Sequence, residues 1–148
     1  RWYVKMIVVS RCLLGENCKY NGGNNYSKEV EAFLKDKQWI AVCPEVLGGL
    51  PTPRIPCEIK GKQVVNKQGE DKTKEFVCGA NIAWQIIEKY PIELAILKSK
   101  SPSCGKDKVY NGNFDGTLIE GNGLFAKKCL ENRIKVLTEK EIACIQNQ

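Results

Sequence analysis

The sequence predicts an α/β fold in three layers, a mostly parallel sheet between helices, with cysteine-bearing loops at the carboxyl ends of its strands. Three observations carry this. Apolar, β-branched runs of strand length alternate along the chain with stretches of helical periodicity. Parallel strands joined through helices gather their carboxyl ends at one edge, where open α/β sheets bind ligands. Three turn-rich loops, holding Cys12, Cys43 and Cys104, each begin where a predicted strand ends. The three cysteines are therefore expected to converge, although long stretches of chain separate them. No repeat, linker or low-complexity stretch divides the 148 residues, which predicts a single domain over 1–148 with a Rossmann-like sheet.

Residues 1–5 precede Met6 and read either as a tag or as a native extension. Residues 3–9 (YVKMIVV) form the first strand, expected to be central. Ser10 to Asn25 is rich in turn residues and holds both Cys12 and Cys18. Ser27 caps a helix with Glu29 and Glu31 in its first turn and Val30, Phe33 and Leu34 on one face. Residues 39–43 form a second buried strand that opens on a rigid loop, CPEVLGGLPTPRIP (43–56). There Gly48 and Gly49 permit unusual backbone angles, while Pro51, Pro53 and Pro56 fix φ. Such a segment suits holding Cys43, Glu45 and Arg54 in place.

Residues 57–66 read as a hairpin turning at Lys60-Gly61. A helix from Asp71 or Thr73 to about Tyr90 puts Phe76, Ala80, Ala83 and Ile87 on one stripe. Residues 93–98 are a buried strand that exits into the Cys104 loop. A turn-rich excursion with Asn111-Gly112 and Asp115-Gly116 comes next, then a helix from about Gly123 to Asn132 and a strand over 134–137. Thr138 and Glu141 form the capping box of a last helix.

The net charge of +6 is a mild basic excess spread along the chain, and no aromatic-rich basic stripe accompanies it. Long nucleic acid is therefore not the expected partner. The absence of a long apolar run and of an export signal predicts a cytoplasmic protein with no membrane partner. Eight cysteines in a reducing compartment point to metal ligands, nucleophiles or core residues before disulfides. The chain has no histidine, which excludes every Ser-His or Cys-His catalytic pair and every mixed Cys/His zinc site.

Thiolates select zinc, copper(I) or iron–sulfur clusters. Structural zinc takes four ligands, often as close CxxC pairs, and the sequence contains no such pair. A cubane iron–sulfur cluster accepts widely spaced cysteines, and with only three it leaves one iron open as a Lewis acid. Ser101 and Ser103 put hydroxyls beside Cys104, and Gly105 admits close backbone approach, a pattern that an ordinary serine-rich turn also satisfies. Glu45 is the acid/base candidate because histidine is absent; a salt bridge to Arg54 is its structural alternative, and the two roles are compatible. Cys78, Cys129 and Cys144 fall in predicted helices, where small buried cysteine is common. Cys18 remains open as a fourth ligand, a persulfide carrier or a spectator. Gly121–Ala126 matches a GxGxxA dinucleotide pattern but lies outside the first βα turn and reads as a helix start.

At these loops the sequence resembles the thiouracil desulfidases, a family long grouped as a domain of unknown function. The matching stretches are SRCLLGENCKYNGG (10–23), CPEVLGGLPTPRIP (43–56), GEDKTKEFVCGA (69–80), ILKSKSPSCG (96–105) and VYNGNFDG (109–116), in the family's order and over most of the chain. The resemblance implies an oxygen-sensitive [4Fe–4S] cluster held by Cys12, Cys43 and Cys104, its fourth iron open to the sulfur of a thiolated pyrimidine such as 2-thiouracil. Water then attacks the thiocarbonyl carbon, sulfide stays briefly on the cluster, and uracil leaves without net redox change. By motif, Glu45 and Ser101 are catalytic, with Glu45 handling the proton or activating water, and Ser103, Arg54 and Gly48 line the substrate. Cys18 falls outside the implied ligand set, because a related branch fused to a second domain lacks it. The expected partners are a small thiopyrimidine and the sulfide product, with the chain a monomer or small homo-oligomer.

Asn21 and Asn111 stand where the family often has Asp, which leaves the preferred thiolated base open, and Cys57 stands where a small residue is common. Two other functions compete. A metal-free sulfurtransferase would carry a persulfide on Cys18 or Cys104. A module with a structural metal would bind RNA through its basic surface.

Overall fold

The computed structural model describes residues 5–147, so the reading of the leading segment as tag or extension, and the start of the first strand at Tyr3, lie outside the described residues. Strand β1 (Met6–Ser10) passes into a single 3₁₀ turn, Arg11–Leu14, and then to helix α1 (Lys28–Leu34). Ser27 caps α1 by accepting a hydrogen bond from the Val30 amide at 3.2 Å. Strand β2 (Trp39–Val42) leads directly into a short helix, α2 (Pro44–Leu47). The hairpin β3 (Cys57–Lys60) and β4 (Gln63–Asn66) turns as expected at Gly61, whose φ is +61°. Helix α3 (Thr73–Ile87) and strand β5 (Ile92–Leu97) follow. After the Cys104 loop come a second hairpin, β6 (Lys108–Tyr110) and β7 (Leu118–Glu120), then α4 (Leu124–Glu131), β8 (Lys135–Thr138) and α5 (Glu139–Gln146).

The central sheet has the order β2-β1-β5-β8, and every neighbouring pair is parallel. Alternation along β1 sends Val8 to one face and Ile7 and Val9 to the other. Val8 packs with Ala80, Ala83 and Ile87 of α3 and Phe125, Ala126 and Cys129 of α4. Ile7 and Val9 pack with Val30 and Leu34 of α1 and Ile142 of α5. These are the three layers, and each fully buried aliphatic or aromatic side chain contributes roughly 1.5–3 kcal/mol. The predicted α3 stripe is buried at all four positions, from Phe76 to Ile87. Thr138 and Glu141 form the reciprocal capping box of α5. Among the described residues no helix is long and apolar enough to cross a membrane.

The structure departs from the sequence reading in several places. The segment after Cys43 begins as a helical turn, α2, with Pro44 at its first position, where a missing N–H costs nothing. Gly48 has an ordinary helical conformation (φ −77°, ψ 0°), and only Gly49 takes a left-handed φ, +94°. Gly48 is required by packing: a Cβ there would overlap the Glu75 carbonyl of α3, and one on Gly79 would overlap the Pro44 carbonyl of α2. Trp39 is exposed because β2 is an edge strand. Cys78 and Cys144 lie on exposed helix faces, whereas Cys129 is buried. The excursion after Cys104 contains the β6–β7 hairpin, whose strands are three residues long and too short to show a period.

Candidate metal centre and active site

The carboxyl ends of β1, β2 and β5 deliver Cys12, Cys43 and Cys104 to one cavity of about 550 Å³. At β1 the Ser10 hydroxyl accepts a hydrogen bond from the Lys98 amide at 3.0 Å, tying the ends of β1 and β5 together. Cys12 sits in the 3₁₀ turn and is held twice by Asn25. The Asn25 amide donates to the Cys12 carbonyl at 3.0 Å, and its side-chain Nδ2 donates to Cys12 Sγ at 3.4 Å. Cys43 is the N-terminal cap of α2.

The Cys104 loop is built from backbone. Ser101 Oγ accepts from the amides of Ser103 (3.1 Å) and Cys104 (3.0 Å). Among the described residues no side chain caps α4; its first amides instead reach this loop, Leu124 to the Pro102 carbonyl at 2.9 Å and Phe125 to the Ser103 carbonyl at 2.8 Å. A Cβ at Gly123 would stand 2.6 Å from the Ser103 carbonyl oxygen. The GxGxxA stretch is thus a helix start pressed against a cysteine loop.

Glu45, on α2, faces the same cavity with both carboxylate oxygens engaged. Arg54 Nε and Nη2 lie 3.1 Å from Oε1, and the Ser103 hydroxyl donates to Oε2 at 3.2 Å. The expected ion pair is therefore present, and the Arg54 side chain is only 6% exposed. The rest of its fork reaches the Pro51 carbonyl, the Thr52 hydroxyl and, at 2.8 Å, the Cys18 carbonyl. Arg54 thus joins the Glu45 segment to the Cys12–Cys18 loop. Gly48 is not brought to the cavity; it packs against α3.

The thiols differ sharply from one another. Cys18 lines the cavity with Cys12 and Cys43. Hydrogen bonding toward those two sulfurs and burial push its pKa far up, so it stays protonated. Its bond outweighs burial at the two acceptors, lowering Cys12 and bringing Cys43 to about 6. Burial pushes the Cys104 thiol up, and it raises Cys57 to about 11. A void rimmed by sulfur from three strand ends, with no imidazole in the chain, fits a soft, thiolate-bound centre. Among the described residues no group of three His, Cys, Asp or Glu forms a site for a single ion.

Sequence reasoning missed several groups here. Glu139, the first residue of α5, accepts from the Ser99 amide and hydroxyl, both at 2.8 Å, and pairs with Lys98 at 3.2 Å. Lys98 and Ser99 line the cavity. Glu58 Oε1 accepts from the amides of Gly112 (3.0 Å) and Phe114 (3.1 Å), fixing the loop that brings Tyr110 and Phe114 to the cavity wall. Asn25 and Ser10 were equally hidden. An isolated Asn, Ser or Glu in a turn-rich segment carries no pattern, and only its partner across the fold reveals its role.

Residues 7–141 match the protein family described as 2-thiouracil desulfurase. Over 147 residues the chain is 36% identical to the uncharacterized protein YbbK of Bacillus subtilis strain 168, covering 93% of this chain and 97% of that one. Its structure is similar to that of a [4Fe-4S]-dependent thiouracil desulfidase, TudS, with a TM-score of 0.85, 38% identity, and coverage of 97% of this chain and 98% of the other. From the first central strand to the opening turn of the last helix, the chain belongs to the 2-thiouracil desulfurase family.

Proposed function

We propose that this chain is an enzyme that removes sulfur from a thiolated pyrimidine, 2-thiouracil or a close relative, by hydrolysis to uracil and sulfide. The observation that carries the proposal is the convergence of Cys12, Cys43 and Cys104 on the cavity that Glu45 also faces. A [4Fe–4S] cluster held by those three cysteines supplies, when bound, a Lewis-acidic iron for thiocarbonyl sulfur. The TM-score of 0.85 and 38% identity to an iron–sulfur desulfidase support that assignment.

The chain's own part is to position water and move a proton. Arg54 and Ser103 each hold one oxygen of Glu45, so the carboxylate keeps one orientation toward the cavity. From there it takes a proton from the water that attacks the thiocarbonyl carbon and returns it to the departing sulfur. The second water proton leaves as the new hydroxyl becomes the carbonyl of uracil, so the sulfur departs as hydrogen sulfide. One water enters, sulfide leaves, and no oxidation state changes. Arg54 acts on Glu45 and the Cys18 loop, its donors being taken by protein acceptors. Ser101 Oγ already accepts two amides, which leaves its hydroxyl hydrogen for the substrate. A metal-free persulfide route is less well supported, because Cys18 and Cys104 are both buried and reactive cysteines are partly exposed.

Anaerobic purification, iron and acid-labile sulfide per chain, and addition of 2-thiouracil test this. The expected result is about four irons per chain, with release of uracil and sulfide. A colourless protein that stays inert after iron–sulfur reconstitution would refute it.

A further inference from the structure

The desulfidase reading assigns no role to Cys18, a thiol that is 7% exposed and lies among the ligand cysteines. It lines the same cavity as Cys12 and Cys43, which come from different strand ends. Cys12 has a second donor, Asn25 Nδ2 at 3.4 Å, and the Asn25 amide holds the Cys12 carbonyl as well. One proposed ligand sulfur thus accepts a side-chain hydrogen bond from outside the ligand set, and a buried thiol that could donate lines the cavity with it and with Cys43. The loop that carries these donors is itself fixed: Arg54 Nη2 binds the Cys18 carbonyl at 2.8 Å, and the Arg54 amide binds the Tyr20 carbonyl at 2.6 Å.

We infer that Cys18 and Asn25 are positioning residues for the cluster, hydrogen-bond donors to the ligand sulfurs of Cys12 and Cys43 that orient them and raise the cluster's reduction potential. This rests on the desulfidase reading. A donor to a ligand sulfur withdraws electron density and stabilises the more reduced, more negative cluster, so losing it moves the potential down. The same loss makes oxidation easier, so a cluster without these donors decays faster in air. Cys18 has one S–H to share between two sulfurs, whereas Asn25 serves Cys12 alone. The proposal thus separates Cys18 from a fourth ligand, which would bind iron directly and close the open position.

The experiment compares anaerobically loaded parent, Cys18→Ala, Cys18→Ser and Asn25→Leu by iron content, potentiometric titration followed by the EPR signal of the reduced cluster, and the rate of colour loss in air. The expected result is parental iron in every variant, a more negative midpoint and faster loss in air for Cys18→Ala and Asn25→Leu, and partial recovery in Cys18→Ser, which keeps a hydroxyl donor. Unchanged midpoints in Cys18→Ala and Asn25→Leu would overturn the inference. So would a folded Cys18→Ala protein that loses iron or changes its EPR signature, since that would make Cys18 a ligand. Should Cys18→Ala not fold, Asn25→Leu decides through its own midpoint. A parent that binds no iron–sulfur cluster at all defeats the desulfidase reading itself, and that result is visible before any variant is compared.

Discussion

Two loops bring cysteine to the same cavity and are held by a different balance of means. The Cys104 loop is fixed chiefly through its backbone: Ser101 Oγ takes two of its amides, its carbonyls receive the first amides of α4, and Gly105 and Gly123 allow contacts that leave no room for a methyl group. The Cys12–Cys18 loop is fixed by side chains: Asn25 on Cys12, Cys18 toward two sulfurs, and Arg54 from another segment. The first arrangement fails by collision and the second by lost hydrogen bonds. A site that must gather sulfur from distant strand ends thus has one ligand in a stiff frame and another in a frame that chemistry can adjust.

The largest effect expected from this contrast is steric. In Gly123→Ala the new Cβ meets the Ser103 carbonyl, and relief requires the Cys104 loop or the start of α4 to move. Such overpacking costs about 1–3 kcal/mol. Chemical denaturation should show that loss, and iron content should fall with it. Gly22→Ala in the other loop meets nothing within 4 Å among the described residues and suffers only its left-handed φ of +82°. It should lose about 1–2 kcal/mol and retain iron. Equal iron loss in both variants would remove the distinction between the loops.

Glu45 lies where the two frames meet, held by Arg54 on one side and by Ser103 of the Cys104 loop on the other. Glu45→Gln keeps the shape and removes the base. It should retain iron and lower kcat by about 10²-fold or more, the usual scale for general acid–base catalysis. Full activity in Glu45→Gln would take the residue out of the proton path. A smaller effect is expected at Glu58, which orders the Tyr110–Gly116 wall through two amides. Glu58→Ala leaves those amides without their partner and should raise KM by the equivalent of about 1–3 kcal/mol, with kcat and iron unchanged. A fall in kcat instead would mean that this wall reaches the reacting atoms.

How much of this was legible in the sequence follows the same division. The parallel sheet, the buried stripe of α3 and the α5 capping box are periodic or short-range signals, and all three appear as read. The convergence of three cysteines followed from topology alone, since parallel strands leave their carboxyl ends together. Gly48 shows the limit. The Gly48-Gly49 pair suggested backbone freedom and the motif a place at the substrate, whereas Gly48 is required by the close crossing of α2 and α3, a tertiary contact that leaves no local trace. Cys78 and Cys144 show another: helix and residue type were readable, but the outward face was not. Asn25, Glu58 and Glu139 act through partners distant in sequence or across the fold, and single polar residues carry no period.

Glu139 supplies the smallest effect and the sharpest check, because it is a charged tie at the entry of the loop held chiefly through its backbone. Burial works against its charge, yet the Ser99 amide, the Lys98 ammonium and the Ser99 hydroxyl together hold its carboxyl below the usual range. The folded state therefore binds this proton less readily than the unfolded chain, so the contribution to stability is present above the ordinary glutamate pKa of about 4.3. It is lost as pH falls through the lowered folded value. The pair is partly exposed, which limits its worth to about 0–1 kcal/mol. Denaturation of the parent and Glu139→Gln from neutral pH downward should show a gap that closes in acid, as the parent carboxyl protonates. A gap that persists in acid would mean that Glu139 holds Lys98 and Ser99 by shape and hydrogen bonding alone, placing the Cys104 loop entirely on the uncharged side of the comparison.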